Sequence, residues 1–217
     1  MTKQTVAVID YGMGNLHSVA KALEASSASI KVFVSADAEK IRAADRIVLP
    51  GVGAIRDCMA EIKRLELDGL IQEVAASKPF LGVCVGLQAL MESSAENGGT
   101  DCLAVFPGSV ERFVSPLIDP VSDLRLKVPH MGWNHVNQVE NHPLWKGIAQ
   151  DSRFYFVHSF YVQPETSQSI AAVTDYGHPF ASALAKDNVF AVQFHPEKSH
   201  KNGLLLYANF LSWDGQA

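Results

Sequence analysis

The chain has 217 residues, 47% hydrophobic and 19% charged, with a net charge of −5. This balance provides for a real core, and an acidic excess without any Lys/Arg run argues against nucleic acid or an anionic membrane as the main partner. Cys58, Cys84 and Cys102 are too few and too scattered for a disulfide framework or a Cys-based zinc site, and they fit a reducing, cytoplasmic setting.

Residues 1–4 lead straight into a strand-like run, which predicts no signal peptide. Residues 5–10, rich in β-branched side chains, predict a buried strand. Residues 11–15 form a Gly-rich turn, residues 16–25 have helical spacing, and residues 31–34 predict a second strand. Strand, turn, helix and strand make a βαβ unit, which points to a parallel sheet with helices on its faces. The Gly12-x-Gly14 turn lacks the third glycine of a dinucleotide fingerprint, and no P-loop is present, so a tight strand-to-helix turn accounts for it.

Residues 46–49 predict the next strand, ending in Pro50-Gly51-Val52-Gly53, and a helix is expected over 54–64. Ligands of open α/β sheets sit beyond the carboxyl ends of strands. Two glycines around Val52 allow a backbone that aims N–H groups at a ligand; a plain loop is the alternative.

Residues 79–88 contain the most informative stretch. An apolar strand runs into Gly82-Val83-Cys84-Val85-Gly86, and a helix is expected over 88–93. This is the layout of a nucleophile elbow with Cys in place of Ser. A Cys at a helix start feels unpaired N–H groups and the positive dipole end, which favour thiolate. A buried, inert core thiol is the competing explanation. The apolar run 80–91, broken by Gln88, is too short to cross a bilayer.

Beyond residue 101 the βα rhythm gives way to short strands at 110–114, 127–128 and 133–136, with 94–101 and 115–123 as loops and a short helix after His142. An aromatic strand is expected over 152–162, then strands at 170–174, 181–185 and 189–194, and a closing helix over 203–213. The elements together predict an α/β fold with an open, mostly parallel, flavodoxin-like sheet. Helices flank it, and antiparallel strands extend it in the C-terminal half. No linker or repeat appears, so residues 1–217 are expected to form a single domain.

The strand at 189–194 ends in His195-Pro196-Glu197. Pro196 stiffens the turn, and a carboxylate two residues from an imidazole can orient it and stabilise its charged form. A surface His before a helix is the plain alternative, and His158 in the aromatic strand is the rival base. No His pair has a helical zinc spacing, so no metal is expected.

Gly82-Val83-Cys84-Val85-Gly86 and Phe194-His195-Pro196-Glu197, each at a predicted strand end, resemble the class I (triad) glutamine amidotransferases. The runs at residues 10–16, 50–53, 129–134 and 155–159 narrow the resemblance to the glutaminase subunits of imidazole glycerol phosphate synthases, over nearly the whole chain. The resemblance implies that Cys84 attacks the glutamine carboxamide, that His195 carries protons, and that Glu197 orients His195. It implies oxyanion donors at Val85 and in the loop at Val52 and Gly53, and substrate contacts at Gly51, Gln88, Glu96, Ser159 and Phe160. It implies no cofactor, and a (β/α)8-barrel cyclase partner receiving ammonia, with Asn15, Trp133 and Tyr155 near the interface. Tyr155 can equally be a core residue. The competing readings are a stand-alone glutaminase or a subunit of another synthase, and a non-catalytic flavodoxin-like binding module.

Overall fold

The computed structural model describes residues 4–216; residues 1–3, on which the expectation of no signal peptide partly rests, lie outside the described residues. The first half alternates strand and helix: β1 (Gln4–Ile9), α1 (Leu16–Ser26), β2 (Ile30–Ser35), α2 (Ala38–Ala43), β3 (Arg46–Gly51), α3 (Ile55–Arg64), α4 (Asp68–Ala75), β4 (Phe80–Cys84) and α5 (Val85–Ala89). There follow β5 (Met91–Ser94), β6 (Thr100–Asp101), β7 (Phe106–Arg112), β8 (Leu117–Ile118), β9 (Arg125–Leu126) and β10 (His130–Gln138). The last part holds β11 (Ser152–His158), β12 (Phe160–Pro164), β13 (Ile170–Asp175), β14 (Pro179–Lys186), β15 (Val189–Val192) and α6 (His200–Ser212).

Strands β3, β4 and β15 are buried at every position, as their unbroken apolar runs demand of a sheet covered on both faces. The main sheet runs β2-β1-β3-β4-β15-β14-β12-β7-β5-β6. Pairing is parallel from β2 through β15, whereas β14 pairs antiparallel with β15, β12 and β13. The expected architecture, parallel first and antiparallel later, is the one observed. Val192 lies opposite Val83, so the chain leaving β15 emerges beside the chain leaving β4. The buried Arg46 guanidinium donates to the carbonyls of Phe210 (3.2 Å) and Trp213 (2.6 Å), fastening the end of α6 to the sheet.

Four local expectations are corrected. The helix expected over 88–93 ends at Ala89, and residues 91–94 are a strand parallel to β7. Every residue of α5 is buried, so an apolar run there carries no amphipathic period to tell short helix from strand. The loop expected at 115–123 contains β8, which pairs with β9, so the ribbon lies at 117–118 and 125–126 rather than at 127–128. The strand expected over 152–162 breaks at Ser159, where the chain leaves its pairing with β10 and joins β7. Helices α2 and α4 are additional; α2 is announced by Asp37, whose carboxylate accepts the backbone N–H groups of Glu39 and Lys40 at the helix start.

Candidate active site

Cys84 closes β4 and leads into α5 with φ 55° and ψ −111°. A side-chain-bearing residue holds such a conformation only when its surroundings impose it, at a cost of order 1–3 kcal/mol. The imposing contact is the packing of α5 on β3: a Cβ at Gly86 would fall on the Leu49 carbonyl oxygen. The helix can therefore sit this close only because residue 86 is glycine. The result lifts the Cys84 side chain beyond the sheet end, next to the N–H groups that open α5.

His195 arrives from the neighbouring strand. Its Nδ1 lies 2.8 Å from Glu197 Oε1, and both side chains are almost fully buried, at 5% and 2% exposure. The imidazole also interacts with the Cys84 sulfur. Burial by itself pushes the imidazole down, but the Cys84 sulfur and the Glu197 carboxylate outweigh it and raise the group to about 10. On its other side Glu197 lies beside the fully buried Tyr207 of α6, whose hydroxyl is raised well above the ordinary range by burial and then by that carboxylate.

A cleft of about 570 Å³ opens over these groups. Cys84, Val85 and His195 line it, with Val52 and Gly53 on one side. Gln88, Glu96, Ser159, Phe160 and Asn15 line it too. Glu96 is also tied into the fold, accepting the Ile55 N–H at 2.9 Å and so capping α3. Val52 is 36% exposed, and its carbonyl accepts from the Cys58 thiol at 3.5 Å. The trans peptide that follows presents the Gly53 N–H in the opposite direction, and Gly53 takes φ 95°, where glycine is favoured. Gly51 sits inside β3 opposite Cys84 and does not line the cleft.

Of the expected interface residues, only Asn15 reaches the cleft. Trp133 is 37% exposed and stacks on His200 at 5.1 Å. Tyr155 is half-buried; its ring lies beneath Lys198 Nζ, and its carbonyl accepts the His195 N–H at 2.9 Å.

The rival base is excluded by its own bonds. His158 Nδ1 lies 2.8 Å from the Phe160 carbonyl and Nε2 lies 2.9 Å from His130 Nδ1, so neither nitrogen is free. Burial lowers His158 to about 3 and His130 to about 4. One residue in the site was assigned no role from the sequence: Gln193, fully buried, with Nε2 3.9 Å from the Cys84 sulfur. No strand period singles it out, since β15 ends at Val192 and the chain bends at residues 193 and 194.

The Glutamine amidotransferase class-I family matches residues 7–212. The imidazole glycerol phosphate synthase subunit HisH of Pseudomonas syringae pv. syringae is 60% identical over 98% of this chain and 99% of its own. The HisH subunit of Nitrosococcus oceani is 58% identical over 97% of this chain and 98% of its own. This chain belongs to the class-I glutamine amidotransferases, in the HisH group. In fold, it is similar to the PurLQS structure from Thermotoga maritima, with TM-score 0.72 and 18% identity over 97% of this chain and 98% of that one. The chain is thus an enzyme of the class-I amidotransferase family. Among the described residues no His, Cys, Asp or Glu group is arranged to hold a metal ion, and no helix is long and apolar enough to cross a membrane.

Proposed function

We propose that this single-domain chain hydrolyses glutamine at Cys84 and delivers the ammonia to a cyclase subunit. It is the glutaminase subunit of an imidazole glycerol phosphate synthase and serves histidine biosynthesis; the name subunit implies a partner. The observation that carries the mechanism is the convergence of the His195–Glu197 pair on the Cys84 sulfur at a strained elbow.

The imidazolium favours negative charge on sulfur, and the sulfur attacks the carboxamide carbon of glutamine. His195 passes its proton to the departing ammonia, then takes one from the water that cleaves the γ-glutamyl thioester. Glu197 keeps the ring oriented through Nδ1. The oxyanion is received by the Val85 N–H at the head of α5 and by an N–H of the Val52–Gly53 loop; one such donor is worth roughly 10²–10³ in rate. The tether from Cys58 to the Val52 carbonyl fixes which way that peptide faces, so loosening it regulates the donor. Gln88, Glu96 and the Ser159–Phe160 backbone hold the substrate. The partner is a (β/α)8-barrel cyclase docked over Asn15, Trp133 and Tyr155, in the cytoplasm.

The test is glutamate release from glutamine by the chain alone, with the cyclase, and with cyclase plus its nucleotide ligand. Activity that rises sharply only with the liganded partner supports the reading. Equal activity in all three overturns the gated subunit in favour of a stand-alone glutaminase.

A further inference from the structure

Gln193 is completely buried, and no water reaches its carboxamide, so the direction in which it points is decided by its neighbours. The Phe160 carbonyl can only accept. Gln88 Nε2 lies 3.1 Å from it, which makes the nitrogen, not the oxygen, the end of Gln88 that faces inward. The second hydrogen of that nitrogen meets Gln193 Oε1 at 3.1 Å. The Gln193 oxygen is thereby committed to Gln88, and its NH2 group is left facing the Cys84 sulfur at 3.9 Å. Rotating the amide by half a turn would set NH2 against NH2 and oxygen against sulfur.

The anchoring carbonyl is itself held from a second side. His158 Nδ1 donates to it at 2.8 Å, so His158 Nε2 is bare and accepts from His130 Nδ1 at 2.9 Å. His130 Nε2 is then bare and accepts from Asn134 Nδ2 at 3.3 Å, whose other hydrogen goes to the Asp175 carbonyl at 2.8 Å. Every member of the chain has one permitted state.

We propose that Gln193 is a further working residue of the active site: its carboxamide N–H holds the Cys84 sulfur, its oxygen holds Gln88, and its orientation is locked by the one-way hydrogen-bond chain that ends on the Phe160 carbonyl. This rests on the reading of Cys84 as nucleophile. An N–H aimed at sulfur favours thiolate over thiol before attack, and receives the same sulfur when the thioester is cleaved. The other titratable groups near Cys84 are His195 beyond β15, Tyr11 beyond β1 and Cys58 on α3, with neutral His158, Glu96 and Lys198 lining the same cleft.

The experiment follows alkylation of Cys84 by iodoacetamide against pH, read as the mass of the Cys84 peptide, in the native chain, Gln193→Met and Gln193→Glu. Methionine fills a similar volume and lacks the donor. The Cys84 profile is expected to move upward by about half to one pH unit in Gln193→Met, and further in Gln193→Glu, where a carboxylate replaces the donor. A folded Gln193→Met chain whose profile overlies the native one overturns the proposal. A measurement on the native chain covers loss of folding: the side-chain amide resonance of Gln193 is expected to shift at the midpoint of Cys84 alkylation. A resonance that stays flat through that midpoint also overturns it. Neither readout uses turnover, so a failure here is distinct from failure of the nucleophile reading, which glutamine hydrolysis by Cys84→Ala decides.

Discussion

His195 Nδ1 and Glu197 Oε1 are held 2.8 Å apart on one Pro-stiffened turn, inside the protein rather than at its surface. The pair is poorly solvated, so its two members depend on each other. Glu197→Gln keeps the shape and removes the charge. Its kcat is expected to fall by about 10²- to 10⁴-fold with little change in KM, as orienting carboxylates of triads behave. Steady-state glutamate release measures it. In the same variant the His195 ring, raised to about 10 in the native chain, is expected to titrate at lower pH by NMR.

Cys84 separates chemistry from stability. Cys84→Ala and Cys84→Gly are both expected to lose glutamine hydrolysis. Only glycine relaxes the φ of 55°, so Cys84→Gly is expected to be the more stable of the two by about 1 kcal/mol in urea unfolding. Equal stability would mean that the elbow stores no strain.

Gly86→Ala tests the close approach of α5 to β3. The added methyl meets backbone, the Leu49 carbonyl, and backbone cannot rotate aside. A loss of about 3 kcal/mol or more is expected, at the upper end for overpacking, together with impaired turnover as the elbow shifts. Thermal unfolding and steady-state kinetics on the same preparation check both.

Acid should weaken the fold through its buried imidazoles. Burial lowers His130 and His142 to about 4 and His158 to about 3, so each stays neutral in the native state while its unfolded counterpart is protonated below about 6.5. Stability is therefore full above that value and declines as pH falls toward 4, by up to about 1.4 kcal/mol per pH unit for each group. His195 works at the other end: its raised value adds stability below 6.5 that is lost as pH climbs to about 10. Urea unfolding across the pH range gives both slopes.

Trp133 stacks face to face on His200 with its outer side open to solvent. If this face docks the cyclase, Trp133→Ala is expected to raise the Kd for the partner about tenfold or more, as for a buried aromatic anchor. Isothermal titration with the cyclase measures it, and an unchanged Kd removes Trp133 from the interface.

The sequence disclosed the parallel half well, because strands buried on both faces carry unbroken apolar runs and their glycine turns are distinctive. Cys84, His195 and Glu197 drew notice because they stand in the short motifs Gly-x-Cys-x-Gly and His-Pro-Glu that follow such runs. What stayed hidden depends on packing between distant segments. Residues 88–93 show no amphipathic period, since α5 is buried all round, and so its early end at Ala89 was not visible. Ser159 carries no breaker signal, yet the chain changes partner strands there. The site role of Gln193 depends on an acceptor 33 residues upstream, reached through Gln88.

The order of strands in the sheet has a consequence for synthesis. Strand β15 lies between β4 and β14, although every strand from β5 to β14 separates it from β4 along the chain. Until residues 189–192 emerge, β4 is an open edge carrying the Cys84 elbow with no imidazole beside it. A chain that stops short of β15 thus carries the Cys84 thiol without the His195 imidazole that the finished sheet sets beside it.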